Sequence, residues 1–468
     1  MSLSTALHNS LMGMSTASFR AELTSFNIAH AGQADYGRRS LVVTPGLQGG
    51  IANFTIDRAD AGRSEAALLA RTGQEAEASV LASASAALFE AFGDPEALTG
   101  LYGAVADLEG ALRDLQTTPE SPALQESAVG AVRQVAVTFE DVSTEIEARR
   151  LEADGAIASE VASINEALAQ LRELNASAAR ATGTELSTVA ESQRAVVHRI
   201  SAALAIKVEG EYGDTLSIRT TKGVLLLGAE VRPLRFDAAG SMEFEARFAD
   251  GDLSGLSVDG IDITPGTPQG AEGGRLAAQF AFRDVVGTDA ADRLDAVARD
   301  LYGRLAIADT TDPEGLLTLL PGNGSAAERL RLHPGIDPAS GGEAWRIRDG
   351  VGAVAEGPSA GEGRLGSIRD ALAQPLSNLG ATGSSRSYSF AGLVAAVGDQ
   401  FGALALRTGE RHEQAVGALS VQREAVLRQT GVDTDRELQE LLMIEQAFAA
   451  NARVAATIDE MLARLMEI

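Results

Sequence analysis

Both ends of the chain carry a long apolar stripe with helical spacing, and this match constrains the fold more than any other feature. The stripes occupy residues 1–31 and 433–468, and each is long enough to run the length of a domain. The rest of the chain leaves from one stripe and returns to the other. Two long helices that meet in this way are typical of an assembling rod rather than of an enzyme with a pocket.

The N-terminal stripe alternates steps of four and three residues, which is the spacing of a heptad seam. Its members are Leu3, Leu7, Ser10, Met14, Ala17, Ala21, Thr24 and Ile28. We assign an assembly role to the apolar members Leu3, Leu7, Met14, Ala21 and Ile28. A helix is predicted up to Gly32, followed by an extended stretch from Ser40 to Thr44.

The C-terminal stripe follows Thr434 and Glu437, which match an S/T-x-x-E capping box at the start of a helix. It shows the same alternation of three and four. The predicted assembly residues are Leu441, Ile444, Phe448, Asn451, Ile458, Leu462 and Leu465, with Ala455 also in the seam. Asn451, the polar member, either fixes the register of the pairing or faces solvent.

The middle of the chain changes its period twice. Residues 58–204 are helical in pattern, with breaks at Gly93–Pro95 and Thr118–Pro122. Residues 206–282 hold short strand-like runs, including 235–248, and residues 309–385 are rich in Gly, Pro and Ser. We predict a mainly α protein with a β-rich insertion, its long terminal helices pairing as a coiled coil. The predicted domains are 1–44 with 429–468 (terminal helices), 45–205 with 286–310 and 386–428 (central helical bundle), 206–285 (β-rich insertion) and 311–385 (loop-rich outer segment).

Composition excludes several classes of function. The net charge of −26 disfavours binding to nucleic acid or to an anionic membrane surface. The absence of cysteine excludes disulfides, thiolate metal sites and a cysteine nucleophile. We expect no transmembrane helix and no cleaved hydrophobic signal peptide. The five histidines are scattered and no nucleotide-binding or nucleophile motif occurs, so we expect no metal, no cofactor and no catalysis.

Motifs at both ends resemble those of axial flagellar proteins, the rod, hook and filament family. Gly431–Leu438 resembles the family's SGV-x-LDEE-x signature, and Gln446–Val454 resembles its Q-x-AY-x-A-x-AR continuation. Asn27–His30, with Tyr36 and Arg38 after it, resembles NI-x-N…GY-x-R. The matching positions are Asn27, Tyr36, Arg38, Gly431 and Gln446, while His30 and Asp35 depart from the family pattern.

Internal segments resemble the hook-associated protein 1 family within this class. Val161–Asn165, followed by Leu174-Asn175, resembles its V-x-x-IN and LN pattern. Gln193-Arg194 stands where that family has DQRD, and Ser325–Leu332 resembles its SAA-x-x-L-x-V stretch.

The resemblance implies an elongated, multi-domain structural protein that joins the flagellar hook to the filament as a ring of subunits. It also implies secretion through the flagellar type III system to an extracellular position. The implied partners are further copies of the chain, the hook protein, hook-associated protein 3 and a cytoplasmic export chaperone, without nucleic acid or membrane insertion. The alternatives are another axial protein (hook-associated protein 3 or a flagellin-like protein) or a secreted coiled-coil binding protein. A binding or hydrolytic site in the β-rich region is a further alternative for which the sequence offers no candidate residue.

Overall fold

The computed structural model describes residues 3–32, 36–45, 51–59, 62–182, 184–358 and 362–466, and it is mainly helical over them. The helices are α1 Leu3–His30, α2 Arg63–Phe92, α3 Gly100–Thr117, α4 Pro122–Ala178, α5 Thr184–Ala203, α6 Gly274–Ala281, α7 Gly287–Ala308, α8 Ala326–Arg329, α9 Arg346–Asp349, α10 Glu362–Ala373, α11 Leu379–Thr382, α12 Phe390–Thr430 and α13 Thr434–Met466. The strands are β1 Arg39–Pro45, β2 Ile51–Arg58, β3 Ile206–Glu209, β4 Ser217–Thr220, β5 Leu225–Leu227, β6 Leu234–Arg235, β7 Ser257–Val258, β8 Ile261–Asp262, β9 Leu317–Leu319, β10 Leu330–Leu332, β11 Leu376–Ser377 and β12 Ser387–Tyr388. The predicted class, mainly α with β-rich insertion and paired terminal helices, is confirmed.

The helix breaks lie where the sequence places them. Helix α2 ends at Phe92, directly before Gly93, whose φ of +105° is a conformation that favours glycine. Helix α4 begins at Pro122, where the missing N–H of proline costs no hydrogen bond. This helix then continues for 57 residues.

The β-hairpin of β1 and β2 is only half anticipated by the sequence. Strand β1 covers the predicted extended stretch, but its partner β2 was not predicted. The two strands are antiparallel, with Ser40 opposite Asp57 and Thr44 opposite Asn53. The hairpin thus follows α1 immediately in the chain.

Two segments differ from their sequence interpretation. The predicted β character of 235–248 is wrong, because only Leu234–Arg235 forms a strand there and the rest is turns. The segment 311–385 holds short helices and paired strands rather than loops alone. It also contributes Ile347, Leu365 and Ile368 to the core, each fully buried.

Contacts divide the chain into two compact units. Unit 1 comprises residues 1–74, 164–233 and 415–468, and unit 2 comprises 75–163 and 234–414. The division falls within α2, α4 and α12. The predicted domain limits stay a prediction, and the predicted β-rich insertion has its first part in unit 1 and its remainder in unit 2.

The core of unit 2 forms from apolar faces of α3, α4, α7 and α12. Leu112, Phe139, Leu294, Leu301 and Val397 are all 0% exposed. Fully burying a side chain of this size stabilises a fold by roughly 1.5–3 kcal/mol. These faces therefore account for the helical frame of the unit.

One helical stretch, within Phe390–Arg464, is long and apolar enough to cross a membrane by length and composition alone, with a mean hydropathy of 1.2. Its first turns pack Phe390, Leu393 and Val397 into the core of unit 2. The apolar window itself is 33% buried within the described residues.

A buried arginine explains the turns at 235–248. Arg150 is 0% exposed and donates to the carbonyl of Ala246 at 2.6 Å. It also donates to the carbonyl of Arg283 at 3.1 Å, within the π-helical turn that joins α6 to α7. Gly287 makes room for this side chain, since a Cβ there would lie 2.7 Å from Arg150 Cγ. Carbonyl groups of this segment accept from the Arg150 guanidinium. In a β-strand the same groups would accept from the N–H groups of a neighbouring strand.

A pair of carboxyl groups, Glu147 and Glu328, links α4 to α8. Glu328 belongs to the capping box of Ser325, whose hydroxyl lies 3.1 Å from that of Ser143. Burial and, after it, the neighbouring Glu328 raise the pKa of Glu147 to about 8. Oxygen Oε1 of Glu147 is buried without a hydrogen-bond donor, which fits a carboxyl that keeps its own proton. Glu147 is therefore protonated at neutral pH.

Replacing Glu147 with Gln should remove a pH-dependent loss of stability. The folded chain keeps this proton up to about pH 8, whereas an unfolded glutamate releases it near 4.5. The stabilisation is thus complete below pH 4.5 and is lost as the pH rises through about 8. Between pH 5 and pH 9, the free energy of unfolding in urea should fall less in the variant than in the wild type, by at most about 4 kcal/mol, since each of the roughly three pH units between 5 and 8 is worth about 1.4 kcal/mol.

The matched control is Glu166→Gln, an exposed change on the same helix, which should keep the wild-type pH slope. Arg150 and Glu243 also act on Glu147, and both variants keep them. An identical slope in wild type and Glu147→Gln would contradict the assignment.

Candidate assembly site

The terminal helices α1 and α13 lie antiparallel in unit 1. Asn27, near the end of α1, bonds Glu437, near the start of α13. Gly13, near the middle of α1, lies against the side chain of Asn451. The helices have 28 and 33 residues. At 1.5 Å per residue each spans about 40–50 Å, so they can pair over most of their length.

The seam of α1 is made of small and polar side chains. Its buried residues are Ser10, Thr16, Ala17, Thr24 and Asn27. The predicted assembly residues of this helix are half-buried at the edges of the contact; they are Leu3, Leu7, Met14, Ala21 and Ile28. Small residues at the contact let two helices approach closely. The buried Ser10, Ala17 and Thr24 keep the seven-residue spacing, while the larger side chains are only half-buried.

The seam of α13 follows the predicted positions with one exception. Ile444, Ala455 and Ile458 are buried, and Leu441, Asn451 and Leu462 are half-buried. Phe448 remains 44% exposed. The side chain of Leu465 lies outside the described residues.

A buried polar cluster closes the pair at one end, and we call it the polar clasp: Asn27, Tyr36, Arg38, Arg39, Glu437 and Glu440. Asn27 is 1% exposed and uses its whole amide. Its Nδ2 donates to the carbonyl of Arg39 at 2.9 Å and to Glu437 Oε2 at 3.0 Å. Its Oδ1 accepts from the Tyr36 hydroxyl at 2.7 Å and from the Arg39 N–H at 3.0 Å. One side chain thus joins α1, the hairpin and α13.

Glu437 is the acidic centre of the polar clasp and is 1% exposed. Arg38 donates to it through Nε at 2.5 Å, and to Glu440 through Nη2 at 2.8 Å. These charge-assisted bonds compensate for the removal of the carboxylate from water. The predicted capping box is wrong, because the side chain of Asp433 caps α13 by accepting from the N–H groups of Asp435 and Arg436.

Aromatic rings cover the clasp. The ring of His30 stacks on Phe26 at 4.1 Å and on Tyr36 at 5.2 Å between centroids. The guanidinium of Arg39 lies 4.9 Å from the centre of the Phe26 ring. Burial raises the pKa of Tyr36 to about 12, so its hydroxyl remains a donor to Asn27. His30 thus fills a place in the stack, while Asp35 lies outside the described residues.

Of the two remaining motif residues, Gly431 lies beside the polar clasp and Gln446 lies away from it. Gly431 lies between α12 and α13, where a Cβ would collide with the carbonyl of Leu427. The preceding residue, Thr430, accepts from the main-chain N–H of Arg38 at 2.7 Å, so this turn is tied to the clasp. Gln446 is exposed on α13 and takes no part in the clasp.

Further ion pairs and amides hold the hairpin and α4 to α5 within unit 1. Arg39 bonds Glu191 of α5 at 2.7 Å. Gln193 is 0% exposed and donates to Asn175 Oδ1 at 2.9 Å. Asn175 in turn donates to the carbonyl of Leu216 at 2.8 Å. The internal motif residues therefore form a buried amide network that joins two helices to the following turn.

Sequence reasoning missed Arg39, Glu437 and Glu440 as clasp residues. A buried charge that pairs with a residue some 400 positions away leaves no local pattern. The motif around Glu437 pointed to the segment but suggested a cap instead. In the part of the chain that the structure describes, no group of three or more His, Cys, Asp or Glu residues could hold a metal.

Changing Glu437 to Gln should weaken the terminal pair much more than changing Glu440 to Gln. The Glu437→Gln change removes the negative charge that Arg38 faces at this buried contact. Removing one partner of a buried ion pair outright destabilises a fold by about 3–5 kcal/mol. Glu440 is 37% exposed at its side chain, and pairs of that kind contribute about 0–1 kcal/mol. Protease cleavage rates within α1 and α13 measure the difference, and equal rates in the two variants would contradict the role of Glu437.

Changing Gly13 to Leu should separate the helices, because a Cβ there would already lie 2.7 Å from Asn451 Nδ2. Circular dichroism should show lost helicity, and Asn451→Ala in the same chain should restore part of it by making room. Gly417→Leu on α12, where a Cβ meets nothing within 4 Å, is the control and should keep full helicity. If the Asn451→Ala change restores nothing, Gly13 does not face Asn451 and the register of the helix pair is different.

Comparisons with known proteins bear on both units. The family model described as flagellar hook-associated protein FlgK helical domain matches residues 88–305. The model described as flagellar basal body rod FlgEFG protein C-terminal matches residues 423–468, which include α13. No curated protein matches the chain.

A solved structure, the flagellar hook junction protein FlgK from Burkholderia pseudomallei, is similar at 19% identity and a TM-score of 0.44. The similarity covers 55% of this chain and 47% of that one, so the chain spans about half the length of the solved protein. The first family model covers the internal motifs at Asn175 and Gln193, and the second covers the motifs at Gly431 and Gln446. Residues 88–305 are thus identified with the helical domain of the flagellar hook-associated protein FlgK, and residues 423–468 with the C-terminal domain of flagellar rod proteins.

Proposed function

We propose that this chain joins the flagellar hook to the filament as a ring of identical subunits and has no catalytic activity. The observation that carries the proposal is a second apolar seam on each terminal helix. The first seams face each other within the subunit. The second seams carry exposed apolar side chains and have the spacing that a further helix would need.

The second seam of α13 has steps of four and three residues. Its members are Met443, Ala447, Ala450, Val454, Thr457 and Met461. Met443 is 63% exposed, Val454 is 49% exposed and Met461 is 42% exposed. A heptad repeat of exposed apolar residues on an ordered helix is typical of a coiled-coil contact surface.

The second seam of α1 has the same alternation. Its members are Met12, Phe19, Leu23 and Phe26, and the buried Thr16 of the first seam occupies the step between Met12 and Phe19. Phe19 is 45% exposed and Phe26 is 40% exposed. These large rings in water are a liability for a protein that stays a single molecule, and they favour a partner that covers them.

A groove of about 430 Å³ lies beside the second seam of α13, lined by Met443, Ile444 and Ala447 of that helix, by Thr16, Ala17 and Arg20 of α1, and by Val43 of β1. Gly13 and Asn451 also line it. Since both rims repeat with helical period, the occupant that fits best is a helix. We infer that neighbouring copies of the chain supply it in the ring.

The remaining partners follow from the family and from the chemistry of the ends. At the two faces of the ring we place the hook protein and hook-associated protein 3. Because an isolated helix with an exposed apolar seam is marginal in water, we infer that a cytoplasmic chaperone holds the ends before export. The flagellar type III system would then deliver the chain to its extracellular position.

Charging the second seam should abolish junction assembly without unfolding the subunit. The variant Met443→Asp with Val454→Asp places carboxylates in the seam and leaves the buried Ile444 and Ala455 intact. A flagellated strain that lacks this protein should form hooks without filaments and lose filament protein to the medium. The double variant should be exported but should not restore filaments, as electron microscopy and immunoblots of the medium would record.

The matched control is Ala456→Asp, an exposed change roughly 140–160° around α13 from Met443 and Val454, which should restore filaments fully. Circular dichroism of the purified double variant should match the wild type, which separates failed assembly from failed folding. Normal filaments in the strain that carries the double variant would contradict the proposed contact surface.

A further inference from the structure

The turn between β9 and α8 in unit 2 contains the dipeptide Asn323-Gly324. The chain has eight asparagines, and this is the only one followed by glycine. Asn323 is exposed, and Gly324 has a φ of +113°. Glycine adopts this conformation without strain, and it has no Cβ to block an approach to its main-chain nitrogen.

We propose that Asn323 is a site of spontaneous deamidation. The main-chain nitrogen of Gly324 attacks Cγ of Asn323, and a five-membered imide forms as the new N–C bond is made. The C–N bond of the side-chain amide breaks, and ammonia leaves with the proton of the attacking nitrogen. Water then adds to one of the two imide carbonyls, which yields aspartate or isoaspartate. The reaction consumes only water.

The local structure leaves the reacting atoms free. Among the described residues, no hydrogen bond holds the N–H of Gly324, so this nitrogen can turn toward the side chain. Leu319 ends β9 and Ala326 begins α8, so Asn323 lies in neither element. The backbone here can therefore rotate without breaking a ladder or a helix.

Two other asparagines have side-chain amides that burial and hydrogen bonds hold in place. Asn27 is 1% exposed and its amide makes four hydrogen bonds. Asn175 is 6% exposed and is held by Leu216 and Gln193. Fixed amides of this kind cannot reach the following nitrogen, and the side chains after them add steric hindrance. Asn323 has neither restraint.

The product would place a new charge beside the carboxyl pair of α4 and α8. A Cβ on Gly324 would lie 2.5 Å from Glu328 Oε2, so the residue next to Asn323 lies against the carboxylate of Glu328. An aspartate there would repel Glu328 and strengthen the hold of Glu147 on its proton. Isoaspartate would in addition lengthen the main chain by one carbon just before Ser325, the N-cap of α8.

Peptide mapping by mass spectrometry tests the proposal on the purified full-length chain, incubated at mildly alkaline pH. The peptide with Asn323 should be lost and replaced by two products, with isoaspartate in excess of aspartate. Peptides with Asn27 and Asn175 should stay unchanged over the same period. The variant Asn323→Ser should give no product, while its circular dichroism remains that of the wild type.

Urea-unfolded chain provides the reference for the intrinsic reactivity of the dipeptide. Deamidation at Asn323 in both the folded and the unfolded chain supports the proposal. An intact Asn323 in the folded chain while the unfolded chain reacts would show that the turn protects it, and would overturn the proposal. Aspartate alone, without isoaspartate, would overturn the imide route.

Discussion

The carboxylate of Glu437 is the group on which the arrangement of the two chain ends depends. It is buried at the start of α13, and its partners Asn27 and Arg38 come from the other end of the sequence. A buried carboxylate without partners costs several kcal/mol, so α13 cannot bury this face unless α1 and the hairpin are in place. The bonds to Glu437 therefore stabilise the helix pair, and they also require that α1 and the hairpin are in place before α13 buries this carboxylate.

Small side chains decide what the rest of the helix pair can do. Because Ser10, Ala17 and Thr24 form the contact of α1, the large residues of both helices lie at its edges or outside it. A seam of leucines would have absorbed the apolar surface within one subunit. The observed composition instead keeps apolar surface, including Phe19 and Met443, available to further helices.

The sequence predicted the helical class, the main helix breaks and the pairing of the ends, because these depend on periodicity and on glycine and proline. It did not predict β2, the turns at 235–248 or the acceptor role of Glu437. The turns form around Arg150, whose carbonyl partners lie far along the chain, and local propensity carries no trace of such a contact. Motif positions Asn27, Tyr36 and Arg38 were identified by resemblance, and only the geometry explains why they occur together.

The polar clasp also makes the stability of α1 and that of α13 depend on each other. Asn27 and Arg38 are synthesised some 400 residues before the carboxylate that they bind. A chain without α13 would leave Arg38 without either carboxylate and Asn27 without one of its four bonds, and a chain without α1 and the hairpin would leave Glu437 without compensation. Either fragment would lack an ordered pair of ends. The order of each terminal helix thus requires the other, so a proteolytic cut that removes one of them should leave the other open to further cleavage.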